Sequence, residues 1–305
     1  MRALPFLKMQ LTRDLDPLQY YLHLRYKPTR ENFKNCKECP AFDYFDWVVW
    51  APDAKKFLRF RRLFPRYVLC LAHRESLDAL LKFRYLLRKS VVVIAGEDTP
   101  LSAVLPQVEL LASSCKSIFY ESKNVEHPKI KSFCMGFISF YLNRIDNALL
   151  IDQIRRATSD FAMKQGVLAA WGAIWKVLDE TLSERRDAAR FVEQCHWIER
   201  EQLEADEYIE RLAQSQYLLA PAGNGIQAPK LAEAWLMRTV PIVIRNPCFE
   251  DLHRAGYPLL LLDSWSDLTL ERLETHQATR VAIDWDRVCE MLTLRYFVDQ
   301  VLRSE

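Results

Sequence analysis

The residues best placed to do chemistry fall in one stretch, Tyr217-Leu-Leu-Ala-Pro-Ala-Gly-Asn-Gly-Ile-Gln-Ala-Pro-Lys-Leu-Ala-Glu-Ala-Trp. Its apolar start reads as a buried strand that Pro221 stops. Gly223, Asn224 and Gly225 form a loop in which the glycines can take backbone angles closed to other residues, and Pro229 suits the first turn of a following helix. Free N–H groups and the positive end of the dipole there make an anion site suited to a diphosphate. Lys230 is unfavourable for that helix end on its own, because cations belong at the other end, and a bound phosphate would relieve the conflict. Glu233, three residues on, lies on the same side and can accept hydrogen bonds from the two vicinal hydroxyls of a ribose. The same spacing also fits a plain strand–turn–helix unit with an exposed lysine and a glutamate that complements the dipole.

Other candidates sit where a crevice could collect them. Asp98, with Glu97 before it, follows the apolar run Val91 to Ile94, and α/β folds place ligands at the carboxyl ends of strands. A carboxylate there could take the proton of an attacking hydroxyl, or Asp98 could cap a helix. Arg185 and Arg186 could neutralise a leaving diphosphate, or belong to a solvated charge run. His127 and Lys129 could line the crevice or simply face solvent. The aromatics of FDYFDWVVW, from Phe42 to Trp50, suit either sugar rings or a core.

Elements that would position these groups alternate along the chain. Strand-like runs occur at Trp47 to Trp50, Tyr67 to Leu71, Val91 to Ile94, Ser117 to Tyr120, Val167 to Trp171, Tyr217 to Ala220, Val240 to Ile244 and Leu259 to Leu262. Amphipathic stretches lie between them, at Leu77 to Leu87, Leu101 to Ser113, Arg185 to Glu199, Ala205 to Ala213 and Ala228 to Arg238. Short apolar strands alternating with helices imply α/β architecture with parallel sheets. Asn143 to Gly166, polar and without a clear strand, is the expected hinge. Trp285 to Leu302 carries apolar residues at helical spacing and needs a surface to cover, with a crossing back to the first lobe as one outcome.

The 305 residues suit two domains, expected at 1–150 and 151–305. Lys plus Arg (42) nearly cancels Asp plus Glu (40), so the whole chain offers no general attraction for nucleic acid or an anionic membrane, and any anion site must be local. Neither GxGxxG nor GxxxxGK[ST] occurs, which removes the usual phosphate loops of dinucleotide and P-loop enzymes. Eight cysteines are spread singly apart from Cys36 and Cys39, a weak metal signal; Cys70, Cys134 and Cys248 read as small buried hydrophobes of a reducing compartment. No run approaches the ~20 residues of a bilayer span, and no signal peptide is read at the start. The expectation is a cytoplasmic protein, with a truncated Golgi-lumenal form left open.

The stretch LLAPAGNGIQAPKLAEAWLMRTVPIVI resembles the donor-binding motif of exostosin-like glycosyltransferases. Pro221, Gly223, Lys230, Glu233, Ala234 and Val240 to Val243 match; the family usually has Arg at or near Lys230 and Gly near Arg238. More weakly, Gly96 to Pro100, His127 to Lys129 with Gly136, and Ser183 with Arg185 and Arg186 resemble family elements in the same order. The resemblance implies a GT-B fold, two Rossmann-like domains with a cleft between them, the first binding acceptor and the second nucleotide-sugar. It implies transfer of a sugar (hexosyl or pentosyl) from a UDP- or GDP-linked donor to a glycan hydroxyl, inverting and without a metal cofactor. The rivals are a non-catalytic sugar- or nucleotide-binding protein on the same lobes and a phosphorylase-like or epimerase-like phosphate-binding enzyme.

Overall fold

The computed structural model describes residues 40–49, 57–71, 74–95, 98–137, 147–172, 179–198 and 200–303. Two sheets form two lobes. The first contains β1 (Trp47–Val49), β2 (Phe57–Phe60), β3 (Tyr67–Leu71), β4 (Val91–Ala95), β5 (Ser117–Tyr120) and β6 (Ile130–Lys131), in the order β2-β1-β3-β4-β5-β6. All pairs are parallel except β1 with the edge strand β2. The second contains β7 (Gln165–Ala170), β8 (Arg200–Glu201), β9 (Ser215–Leu219), β10 (Val240–Ile244) and β11 (Leu260–Leu262), in the order β11-β10-β9-β7-β8, parallel throughout.

The first sheet steps in one direction from β1 to β6. Right-handed crossovers in a single direction stack their helices on one face, and α1 (Arg74–Leu81) and α2 (Leu105–Ala112) do so. Strand residues alternate accordingly: Val68, Cys70, Val92, Ile94, Ile118 and Tyr120 pack with Leu77, Leu80, Val108 and Leu111 on the helix side. Leu69, Leu71, Val91, Val93, Ala95 and Phe119 point the other way. That second face is closed by Phe42 and Phe45 and by Leu294, Phe297, Val298 and Leu302 from far along the chain. At about 1.5–3 kcal/mol for each fully buried large apolar side chain, the last four contribute several kcal/mol to this lobe.

The segment expected as one helix from Trp285 to Leu302 is therefore two pieces. In α9 (Trp285–Met291), Trp285, Val288 and Met291 cover the second lobe. Thr293 then caps a new start, accepting from the Tyr296 amide, and α10 (Leu294–Tyr296) runs into a π turn (Phe297–Leu302) on the first lobe. The break lets one segment serve two cores.

Around the second sheet lie α3 (Asn147–Ser159), α4 (Asp179–Gln194), α5 (Ala205–Gln214), α6 (Lys230–Leu236), α7 (Pro247–Arg254) and α8 (Leu270–Val281). The expected hinge, whose sequence is helix-compatible, is largely α3, and Leu150, Ile154 and Ala157 bury it in the second core. Positions 150 and 151, where the lobe boundary was expected, fall inside it. At the amino ends of the second sheet, Lys164 is 2% exposed and donates to the carbonyls of Ala213, Ser215 and Met237 and to Thr239 Oγ1. Burial, with Arg280 and Arg238 nearby, lowers its pKa to about 7. It clips together strand starts at the end opposite the crevice.

Candidate functional site

The second sheet reverses direction once. From β7 the chain steps to β8 on one side and then to β9 on the other, so a topological switch point lies between the carboxyl ends of β7 and β9. The loops leaving these strands diverge to opposite faces and open a crevice, the usual ligand position in such sheets. The stretch singled out in the sequence leaves β9 here.

Three cationic side chains from three elements converge on three successive carbonyls at the end of β7. The Lys230 ammonium, from the start of α6, donates to the Ala170 carbonyl. Arg200 of β8 donates to Trp171 O at 3.3 Å and lies over the Trp171 ring at 4.9 Å. Arg185 of α4 donates to Gly172 O. Each carbonyl fixes a cation that would otherwise be repelled by its neighbours. Lys230 is half-buried, and its Nζ lies 4.9 Å from the centre of the Tyr208 ring.

Glu233, 7% exposed, is buried beside Lys230. Burial raises the Glu233 carboxyl and lowers the Lys230 ammonium; Glu233 pulls Lys230 back up, while Arg185 and Arg200 push it further down. Charge on either of the pair supports charge on the other. The Tyr208 hydroxyl points to the same place without a hydrogen bond of good geometry, and its pKa is raised by burial and by Glu233. Below the loop, Glu184 of α4 accepts from the Ala222 amide at 3.0 Å, and burial raises its carboxyl to about 7.

The loop itself corrects one expectation. Neither Gly223 nor Gly225 has positive φ; the positive-φ glycines among the described residues are Gly136, Gly166 and Gly256. The turn closes through Gly223 N to Gly225 O at 3.0 Å, and a Cβ on Gly223 would meet only ordinary contacts, the nearest being Ala228 Cβ at 3.7 Å. Half-buried Asn224 lies in this turn. The strained backbone is at Arg238 instead, with φ +55° after the end of α6. There Thr239 N reaches Ala234 O, closing a helix end that favours glycine, and Arg238 reaches Asp286 at 2.7 Å.

The carboxyl ends of the two sheets face each other. Gln227, 1% exposed and in the same loop as Gly223, donates through Nε2 to Glu121 O (2.8 Å) and Phe133 O (2.9 Å) and accepts through Oε1 from Met135 N (3.1 Å). Lys123, 2% exposed after β5, pairs at 2.8 Å with Asp251 of α7, which also accepts from Ser132 N. The loop beside the three cations is thus fastened to the first lobe.

The other sequence candidates are placed as follows. Asp98 follows β4 at its carboxyl end, half-buried; its neighbour Thr99 accepts from the Tyr120 hydroxyl at 3.0 Å. It does not cap the next helical turn, Leu101–Val104, whose N-cap is Pro100 with no side-chain bond. Glu97 lies outside the described residues, as do Trp50, Cys36 and Cys39. Arg186 is exposed on α4. His127 and Lys129 are not brought to the crevice: Ile118 N bonds Lys129 O at the amino ends of β5 and β6, Lys129 Nζ reaches Ala112 O, and His127 Nδ1 accepts from Lys129 N. The aromatics Phe42, Phe45 and Trp47 are core, whereas Tyr44 is exposed. Cys70, Cys134 and Cys248 are buried free thiols, the latter two raised to about 12 by burial.

Sequence reading missed Glu184, Arg200, Tyr208 and Gln227. Glu184 stood in the same charge run as Arg185, and Gln227 stood inside the loop already singled out; both are polar residues whose burial, not their spacing, gives them a role. Among the described residues, no group of three or more His, Cys, Asp or Glu is arranged to hold a metal ion, and no helix is long and apolar enough to cross a membrane.

No family model matches the chain, and no curated protein does. Among solved structures, the chain is similar to a Listeria monocytogenes protein assigned by name as a UDP-N-acetylglucosamine 2-epimerase. The identity is 11%, over 78% of this chain and 72% of that one, with a TM-score of 0.38. A superposition at that score decides neither fold nor activity. The two-lobed α/β, GT-B-like fold rests on the sheets themselves.

Proposed function

We propose that this chain is a glycosyltransferase of the exostosin-like kind, moving a sugar from a UDP- or GDP-linked donor to a glycan hydroxyl, with inversion and without a metal. The observation that carries the reading is the convergence of Lys230, Arg200 and Arg185 at the switch point of the second sheet. Such fixed cations stabilise the charge that grows on a departing nucleoside diphosphate. Glu233 would hold the ribose hydroxyls. Residues 151–305 would then bind donor and residues 1–150 acceptor.

In the reaction, the acceptor oxygen attacks the sugar C1 as the C1–O bond to the diphosphate breaks. The acceptor proton passes to a carboxylate, for which Asp98, at the carboxyl end of β4, is the nominee. Asp98→Asn should lower kcat by about 10²- to 10⁴-fold with little change in donor affinity.

A second reading is a binding protein without turnover: Lys230 is bonded to a backbone carbonyl and Glu233 is buried, which holds both in place without requiring a reaction. Calorimetry with a panel of UDP-, GDP- and CMP-sugars, followed by an assay for released nucleotide with glycan acceptors, separates the two. Binding with nucleotide release supports transfer. Binding without release under any acceptor supports the second reading, and no binding refutes both.

A further inference from the structure

One corner of the first lobe departs from the rest of the surface. Phe60, Leu63 and Phe64 are 54%, 58% and 68% exposed within five residues, and Tyr44, 43% exposed, follows Asp43, which Arg61 bonds. The sequence there, Arg59-Phe-Arg-Arg-Leu-Phe-Pro-Arg66, holds four arginines and no acid. Arg61 pairs with Asp43 and Arg62 with Asp46, which offsets two of the four charges.

These apolar side chains are held out by ordered backbone. Phe60 stacks on buried Trp47 at 5.0 Å, and the Trp47 indole donates to Arg62 O. Arg61 N reaches Asp46 O, Arg66 N reaches Asp46 Oδ2, and Pro65 O accepts from Ser90. Arginines on the edge strand β2 would by themselves discourage pairing with another sheet. That role does not account for Leu63 and Phe64, which lie beyond the end of the strand.

Large apolar tips carried on an arginine-rich segment match a bilayer surface bearing anionic headgroups, where apolar groups enter the interface and cations meet lipid phosphate. From this complementarity we infer that the Tyr44, Phe60, Leu63 and Phe64 corner docks the protein on an anionic lipid surface. The near-zero charge of the whole chain, +2, makes this attraction local to the corner. The inference is independent of the proposed reaction.

The test is co-sedimentation of the full chain with vesicles of phosphatidylcholine alone or with phosphatidylglycerol. Binding is expected to the mixed vesicles, weakening as salt rises, and it should fall about tenfold or more in Leu63→Glu/Phe64→Glu. Met163→Ser, at a residue 74% exposed just before β7 in the second lobe, should bind as wild type. Unchanged circular dichroism would show that the variants fold. The inference is overturned if the chain ignores both vesicles, binds both equally, or binds undiminished in the double variant. It is overturned too if the double variant instead abolishes a dimer seen by sedimentation, which would make the corner a contact between copies.

Discussion

Replacing Gln227 by Leu measures how firmly the crevice loop is fastened to the first lobe. The side chain makes three hydrogen bonds to backbone groups of residues 121, 133 and 135 and is 1% exposed. Leucine keeps the volume and removes all three. Met135 N–H and Phe133 C=O then lose these partners, at about 1–3 kcal/mol each for a buried group left unsatisfied. Glu121 C=O keeps the Cys248 thiol at 3.5 Å, so its loss is smaller. The sum is roughly 2–6 kcal/mol, a large share of the ~5–15 kcal/mol that holds a typical protein folded. Urea unfolding followed by circular dichroism should show a lower midpoint, and calorimetry should show weaker donor binding because the loop loses its anchor. Gln227→Glu adds a pH arm. A carboxyl facing two carbonyls is favoured protonated, so its folded pKa rises, and the variant should regain stability relative to wild type as pH falls towards 5. A Leu variant within about 0.5 kcal/mol of wild type, with donor affinity unchanged, would refute the reasoning.

Lys230→Ala should weaken binding of a nucleoside diphosphate more than of the bare nucleoside, by about 1.5–3 kcal/mol for a charge-assisted contact; equal losses in calorimetry would remove its phosphate role. Glu184, raised to about 7, binds its proton more tightly when folded, so its contribution is full at pH values below the unfolded carboxylate range and is lost as pH rises to about 7. Glu184→Gln should therefore flatten the fall in stability between pH 5 and 7, read as thermal midpoints across pH; parallel profiles would contradict it. Arg238→Gly and Arg238→Ala lose the same ion pair, but only Ala keeps the left-handed strain, so Gly should be the more stable by about 1 kcal/mol in urea titrations.

Most of the strands were legible because parallel strands buried on both faces leave continuous apolar runs, as in Val91–Ala95 and Val240–Ile244. Two-residue β6 and β8 carry no period to detect. The helix α7 had a readable start, with Asn246 capping Phe249 N and Pro247 in the first turn, and went unread. Spacing gave Lys230 and Glu233 as a pair on one helix, and Arg185 as a possible neighbour. It did not give Arg200 or the carbonyls of Ala170, Trp171 and Gly172, because strand order brings those together across the sheet. Nor did it separate Lys129 from the crevice: a residue before a strand and one after it look alike in sequence and sit at opposite ends of a sheet.

The closure of the first sheet by Leu294, Phe297, Val298 and Leu302 sets an order of assembly. During synthesis the strands of the first lobe emerge long before these residues, and the entire second sheet is made in between. Until then the face carrying Leu69, Leu71, Val91, Val93 and Phe119 has Phe42 and Phe45 against it but lacks its late cover, and apolar surface left open is where aggregation starts and chaperones act. Cutting the chain between the sheets would not yield two self-sufficient halves: the amino-terminal piece would lack part of its cover, and the carboxyl-terminal piece would carry an apolar tail made for another core. Such a protein matures as a unit, late and all at once.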